Sequence, residues 1–394
     1  MKQKDLHEDL VKFYEFMLGP LPNREGFKAA VKQTVTSEQL TVFFLLPFQG
    51  SITVPKLEKK AQKAKISPEK LHELVEQLIP EGFIGSYEKN GEQVYERGSI
   101  LTMTEMQIRT MEMKGDENAS IRLESARFMD MMIEGATGDV PTKTPYYRVI
   151  SVESAITGKD TAGEIILNAA VPDPRAVMPI DLVSEMIKKE PVIVVAECYC
   201  RKAKQILDKG CDHPLETCFY FNELALLQLN AGRARKVTYD EAMDILYDCE
   251  QIGLVHNINN AQGHIHSLCN CCACSCGVMK AIRRGATNAG APSRFIVDYL
   301  EDSCVHCGIC AEFCPSGALT FSEQRLSVNS EKCIGCGLCV SHCPEDTMRL
   351  IQREKIKKIP ATVNDMFRMI TWEAVIGMVL NKFKRKRAGS ASEN

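Results

Sequence analysis

The chain has 394 residues, 45% of them apolar and 25% charged, with a formal net charge of −3. That is ordinary globular composition for two to four domains, and it excludes a chain-wide pull toward nucleic acid. All 18 cysteines lie between Cys198 and Cys343, so the N-terminal half is free of thiol chemistry.

The chain opens with MKQKDLHEDLVKFYEF, charged where a signal peptide needs an apolar core, and no stretch of 18 apolar residues follows. The expected compartment is therefore the reducing cytoplasm, where clustered thiols signify metal more often than disulfides. Residues 37–98 read as a winged-helix-like arrangement of three helices and a β-wing. Ser37 is placed as the cap of a first helix ending near Pro47, and Ser51–Val54 as a short strand before a helix bearing Lys56, Lys59, Lys60 and Lys63. Ser67 and Pro68 then supply an N-cap and N1 residue. The stripe Leu71, Leu74, Val75, Leu78 and Ile79 marks the buried face of the third helix, and Asn90-Gly91 marks the hairpin turn of the wing. That third helix carries Glu69, Glu73 and Glu76 against Lys70, which repels phosphate; protein docking or a structural role is favoured over DNA binding. A helix is expected over 101–113 and a linker over 135–145, from its Gly, Thr and Pro punctuation.

The middle region reads as cysteine-rich α/β. Asp181 is placed as a helix cap, and 191–196 is an apolar strand run leading into Cys198 and Cys200. Arg201 and Lys202 follow, as cations able to offset an anionic site. Cys211 and Cys218 come next, then Cys269, Cys271, Cys272, Cys274 and Cys276 within C-N-C-C-A-C-S-C. Nine thiols exceed what core packing requires, and point to one or two additional iron–sulfur clusters, with zinc as the competing metal. As a strand, 269–276 would put Cys269 and Cys271 on one face and Cys272, Cys274 and Cys276 on the other; as a helix, Cys269, Cys272 and Cys276 would share a face. Neither aims all five at one metal, so the segment is expected to be a loop or divided between sites. Cys249 stands apart: Thr238 and Glu241 read as a capping box, and the helix after them sets Cys249 in an apolar stripe with Ala242, Ile245, Leu246 and Ile252. His264 and His266 carry no ligand assignment.

Near the C-terminus one spacing occurs twice. Cys304, Cys307, Cys310, Cys314 and Pro315 read C-x-x-C-x-x-C-x-x-x-C-P, and Cys333, Cys336, Cys339, Cys343 and Pro344 repeat it 29 residues later. Cysteines three apart reach three corners of a cubane, and the fourth ligand must arrive from elsewhere. Zinc sites instead pair two C-x-x-C units across a longer spacer. Gly308 and Gly337 match across the repeat, and small residues there let backbone approach sulfur. The run resembles the two-cluster bacterial ferredoxins. That resemblance implies two [4Fe–4S] clusters, one on Cys304, Cys307, Cys310 and Cys343 and the other on Cys333, Cys336, Cys339 and Cys314. More loosely, C-Y-C-R followed by the spaced cysteines over about 180–350 resembles large iron–sulfur proteins of anaerobes.

The tail holds an apolar stripe of Met369, Trp372, Val375, Ile376, Val379, Leu380 and Phe383, then Lys382, Lys384, Arg385, Lys386 and Arg387. Core packing, a partner's groove and an anionic membrane surface all fit such a basic amphipathic helix. The expected class is α+β: a winged-helix-like domain over 1–135, a cysteine-rich domain over 146–292, a dicluster ferredoxin-like domain over 293–355 and the amphipathic helix over 360–387. The expected function is electron transfer to redox protein partners, within or toward an anaerobic oxidoreductase, with no nucleotide-binding glycine fingerprint for hydride chemistry. A redox-sensing winged-helix DNA-binding regulator, and an iron–sulfur enzyme with its site at Cys269–Cys276, are the alternatives.

Overall fold

The computed structural model describes residues 5–18, 24–48, 50–79, 83–89, 91–97, 111–112, 115–116, 119–135, 142–157, 177–230, 232–286, 288–373 and 376. Helices and sheets are mixed in an α+β chain. It divides into two compact units, each assembled from separate stretches. The first comprises Met1–Met132, Tyr199–Cys211 and Leu226–Ala234; the second comprises Ile133–Cys198, Asp212–Ala225 and Arg235–Asn394.

The first unit begins with helices α1 (Leu6–Leu18), α2 (Arg24–Thr34) and α3 (Ser37–Leu45). Strand β1 (Ser51–Thr53), helices α4 (Val54–Lys63) and α5 (Pro68–Leu78), and strands β2 (Ile84–Lys89) and β3 (Glu92–Arg97) follow. The strands form an antiparallel sheet of order β1-β3-β2. Ser67 caps α5 by accepting from the Lys70 N–H at 3.2 Å, with Pro68 in its first turn. The α3 cap differs from expectation: it is Thr36, not Ser37. The Thr36 hydroxyl accepts from the Gln39 N–H, and the Gln39 side chain accepts from the Thr36 N–H at 2.8 Å. The T-x-x-Q spacing satisfies two orphan donors at once, which shifts the start by one residue. The apolar faces meet around Leu40, Phe43, Leu57, Leu74 and Phe83, and Phe27 stacks on Phe128 of helix 119–135. The helix expected over 101–113 lies outside the described residues except for 111–112, and the linker does so over 136–141.

Helix Tyr199–Ile206 belongs to this unit, packing Ala203 with Met111, Ala126 and Met129. Buried Asp130 binds the ammonium groups of Lys204 and, at 2.8 Å, Lys209.

The second unit is built on a seven-stranded sheet. Its strands are β4 (Tyr147–Ile150), β5 (Ile193–Glu197), β6 (Glu216–Phe221), β7 (Ala234–Lys236), β8 (Val255–Asn259), β9 (Ser267–Cys271) and β10 (Gly290–Ala291), in the order β10-β4-β8-β9-β6-β5-β7. From β4 through β8, β9 and β6 to β5 the pairing is antiparallel, and β10 joins β4 in parallel. Val195, Phe219, Phe221, Ile258 and Leu268 cover one face with Ala242 and Leu246 of helix Tyr239–Gln251. Cys249 is buried on that helix. Thr238 caps the helix by accepting from the Glu241 N–H, but the expected reciprocal bond gives way to an ion pair of Glu241 with Arg235. Asp181 does not cap a helix. It closes a short 3-10 turn, where its carboxylate accepts from the Met178 N–H at 2.9 Å and from Arg294 at 2.6 Å, and the next helix starts only at Val183.

The cysteine repeat follows on two small antiparallel pairs, β11 (Phe295–Tyr299) with β14 (Met348–Gln352) and β12 (Leu319–Ser322) with β13 (Arg325–Val328). A final helix starting at Val363 sets Val363 and Met366 against Ala261, while Met369 and Trp372 face outward, Trp372 at 67% exposure. Its expected basic run at 382–387 lies outside the described residues. Among the described residues no helix is long and apolar enough to cross a membrane.

Candidate metal centre

The duplicated spacing has a duplicated backbone. In the first copy His306, Gly308 and Gly317 take φ of 53°, 81° and 70°; in the second, Gly335, Gly337 and Asp346 take 68°, 85° and 50°. Each second-copy residue stands 29 positions after its counterpart (335 − 306, 337 − 308 and 346 − 317). Left-handed residues bend the loop so that cysteines three apart turn toward one point. Gly308 and Gly337 then lead into the short helices Ile309–Glu312 and Leu338–Ser341.

Two four-cysteine pockets result. One is lined by Cys304, Cys307, Cys310 and Cys343. The other is lined by Cys314, Cys333, Cys336 and Cys339. Three thiols of each come from one loop, and the fourth comes from the far end of the other copy.

Donors point at several of the sulfurs. The His306 N–H lies 3.4 Å from Cys304 Sγ, the Leu319 N–H 3.3 Å from Cys314 Sγ, and Thr347 Oγ1 3.3 Å from Cys343 Sγ. Burial opposes ionisation of Cys343, but the Thr347 hydroxyl and the backbone N–H groups of Glu345, Thr347 and Met348 outweigh it and lower its pKa. Elsewhere burial dominates. It pushes Cys336 up to about 12 and, joined by repulsion from Cys343, Cys307 and Cys304, pushes Cys310 up to about 11. Such thiols are protonated until a cation takes the proton's place, so metal loading must release protons.

The second loop is also tied to the large sheet. Hydroxyls of Ser151 and Ser293 each donate to the Gly335 carbonyl at 2.7 Å, the Val152 N–H donates to Cys336 O at 2.7 Å, and Arg353 donates to Cys333 O at 2.6 Å. A Cβ on Gly335 would lie 2.1 Å from Phe295 O and 2.3 Å from Ser293 Oγ, so only glycine fits. Its counterpart His306 is exposed and has room for a side chain. Four inward thiols, sulfur-directed donors and close backbone approach suit a thiolate-bound cluster.

One comparison with known proteins bears on this segment. Residues 296–344 match the family model described as a 4Fe-4S dicluster domain, a span containing all eight repeat cysteines. No curated protein and no solved structure matches the chain. The C-terminal part of the chain thus carries a ferredoxin-like iron–sulfur domain.

The other nine candidate cysteines are divided between the two units. Cys200 and Cys211 belong to the first unit. In the second unit Cys198 follows β5, Cys218 lies in β6, Cys269 and Cys271 lie in β9, and Cys276 directly precedes helix Gly277–Arg283. Between them, in the turn after β9, Cys272 is buried and Cys274 is exposed. His264 pairs with Glu190 at 3.1 Å. Arg201 is buried in the first unit, and Lys202 lies beside it in the same helix. Ser151, Ser293, Arg353 and Thr347 were not expected at the site. The approach of Ser151, Ser293 and Arg353 depends on packing between distant parts of the chain, whereas Thr347 lies only four residues after Cys343; for Gly335 the one sequence signal was its place between Cys333 and Cys336.

Proposed function

We propose that this protein transfers electrons through two [4Fe–4S] clusters, one on Cys304, Cys307, Cys310 and Cys343 and one on Cys333, Cys336, Cys339 and Cys314. The observation that carries this reading is the pair of four-cysteine cavities, each completed by a cysteine from the opposite copy. Each cluster, when bound, accepts and returns one electron at a potential set by its ligands, burial and hydrogen bonds to sulfur. The chain's own part is to hold eight thiolates, aim N–H and O–H donors at them, and limit water. The first cavity is the natural contact for a partner. Cys307 is exposed there, and Val305 and Phe321 add apolar surface. The second cavity lies deeper, with Cys336 buried and its loop anchored on the sheet. Partners are redox proteins, and the chain serves as a component of, or donor to, an oxidoreductase. Further clusters on middle-region cysteines would lengthen the same route.

The N-terminal helices and sheet serve as a winged-helix-like docking element. Glu69, Glu73 and Glu76 are exposed on α5, which suits a basic protein face better than phosphate.

Anaerobically prepared protein tests the central reading. Reversible reduction with about four irons per cluster is expected. Cys304→Ser and Cys336→Ser should each remove or convert one cluster, seen by iron and sulfide analysis and by electron paramagnetic resonance. Zinc in place of iron, or irreversible bleaching on reduction, would refute it.

A further inference from the structure

We infer that Cys198, Cys218, Cys269, Cys271 and Cys276 form a third cluster site, separate from the ferredoxin-like repeat, that takes a polynuclear iron–sulfur group. The proposal extends the electron-transfer reading and rests on the sheet rather than on the repeat.

Register brings the thiols together. Cys218 on β6 stands directly opposite Cys269 on β9, and residues opposite each other in an antiparallel pair project to one face. Cys271, two residues on, shares that face. Cys198 reaches it from β5: Ala196 pairs with Cys218, a bulge follows, and the Cys198 N–H is held by Leu215 O at 2.7 Å. Cys276 arrives from the turn after β9, its N–H bound to Cys272 O at 3.2 Å. The sulfurs form a row. Cys218 is in hydrogen-bond contact with Cys198 and Cys269, and Cys271 with Cys269 and Cys276. Cys198, Cys218, Cys271 and Cys276 are buried, and none of the five is in a disulfide.

Packing alone accounts poorly for this row. A thiol can behave as a small hydrophobe, as Cys249 does, but five in mutual succession on one sheet face form a donor set. A second sign is Asn257, which lies opposite Cys269 on β8. It is 1% exposed, and its buried Oδ1 finds no hydrogen-bond partner. A buried amide left short of a partner costs about 1–3 kcal/mol, so a polar group belongs on this face.

Geometry selects the class of metal. Four sulfurs around one zinc at 2.3 Å lie only about 3.8 Å from one another. The row instead spans β5, β6 and β9, roughly 10 Å at about 4.8 Å per strand. Ligands so spread suit the separate corners of a polynuclear cluster, and the fifth thiol leaves one ligand in reserve. The site also has an outlet. Cys271 and Cys276 pack in the same apolar cluster as Val152 and Cys336, and the Val152 N–H binds Cys336 O. The third site therefore adjoins the deeper cavity of the repeat.

The test uses full-length protein made and purified without oxygen, with iron, sulfide and zinc counted per chain. Wild type should hold about twelve or more irons, at four per cubane. The double variant Cys218→Ser/Cys269→Ser should lose about four and keep those of the repeat, and Cys249→Ser should lose none. Eight irons in wild type that survive the double substitution would overturn this site while leaving the ferredoxin-like reading intact. One zinc per chain lost from the double variant would also overturn it. Iron lost only from the double variant, with none lost in Cys304→Ser and Cys336→Ser, would keep this site and sink the repeat. If the double variant does not fold, iron-edge anomalous scattering from wild-type crystals decides: density on the β5–β6–β9 face supports the site, and its absence there overturns it.

Discussion

Single atoms set the properties of the repeat. Thr347 donates its hydroxyl toward Cys343 and so stabilises extra negative charge on that sulfur. Replacing Thr347 by Val should lower the potential of the cluster held by Cys343. A neutral hydrogen bond of about 1 kcal/mol corresponds to about 40 mV for one electron, readable in a spectroelectrochemical titration. Gly335→Ala should be far more damaging. The added methyl meets the Phe295 carbonyl at 2.1 Å, at a φ of 68° that side chains resist. We expect loss of about 3 kcal/mol in denaturant melts and loss of the second cluster before the first, followed by iron content. The corresponding change His306→Ala places a smaller side chain at an exposed position and should leave both clusters in place.

At the level of elements, what could be read from the sequence depended on distance along the chain. The repeat was legible because its ligands are local and occur twice; the exchange of a fourth thiol between the loops was what the resemblance to two-cluster ferredoxins implied. The α5 cap and stripe were legible for the same reason: Ser67 caps the helix, Pro68 opens it and Leu71, Leu74, Val75 and Leu78 are buried along it, while the fifth expected position, Ile79, is its half-buried C-cap residue. The row on the large sheet was not. It depends on Cys218 facing Cys269 across a register that no local pattern encodes. The segment 269–276, expected to be a loop or divided between sites, is strand up to Cys271 and turn over 273–275. Asp181 was misplaced for a related reason, since its partner Arg294 is 113 residues away. Helix 119–135 supplies a further test through Asp130. Burial raises the pKa of this carboxyl, but Lys204 and Lys209 more than compensate and hold it below its ordinary value. Its stabilising contribution is therefore present above about pH 4, the unfolded carboxylate range, and is lost as pH falls through the depressed folded value. Asp130→Asn should cost about 3 kcal/mol at neutral pH and flatten the acid limb of the stability curve, measured by urea melts across pH.

Across the whole molecule, all of the 18 cysteines except Cys200 and Cys211 fall in the second unit. The repeat and the five-thiol row both belong to the second unit, while the stretch before Cys198 contains no cysteine. The first unit is expected to recognise protein and not duplex DNA. Fluorescence anisotropy at low salt should show no binding to a short labelled duplex, and binding that weakens steeply with salt would reverse that assignment. Its discontinuity also bears on biosynthesis. Residues 1–132 leave the ribosome well before Tyr199–Cys211 and Leu226–Ala234, yet Ala203 and Lys204 complete the contacts of Met129 and Asp130. A nascent N-terminal fragment must wait for about another seventy residues, some four to fifteen seconds of translation, before those contacts can close. Shortened transcripts that stop before residue 199 should therefore yield a product that chaperones retain and proteases remove.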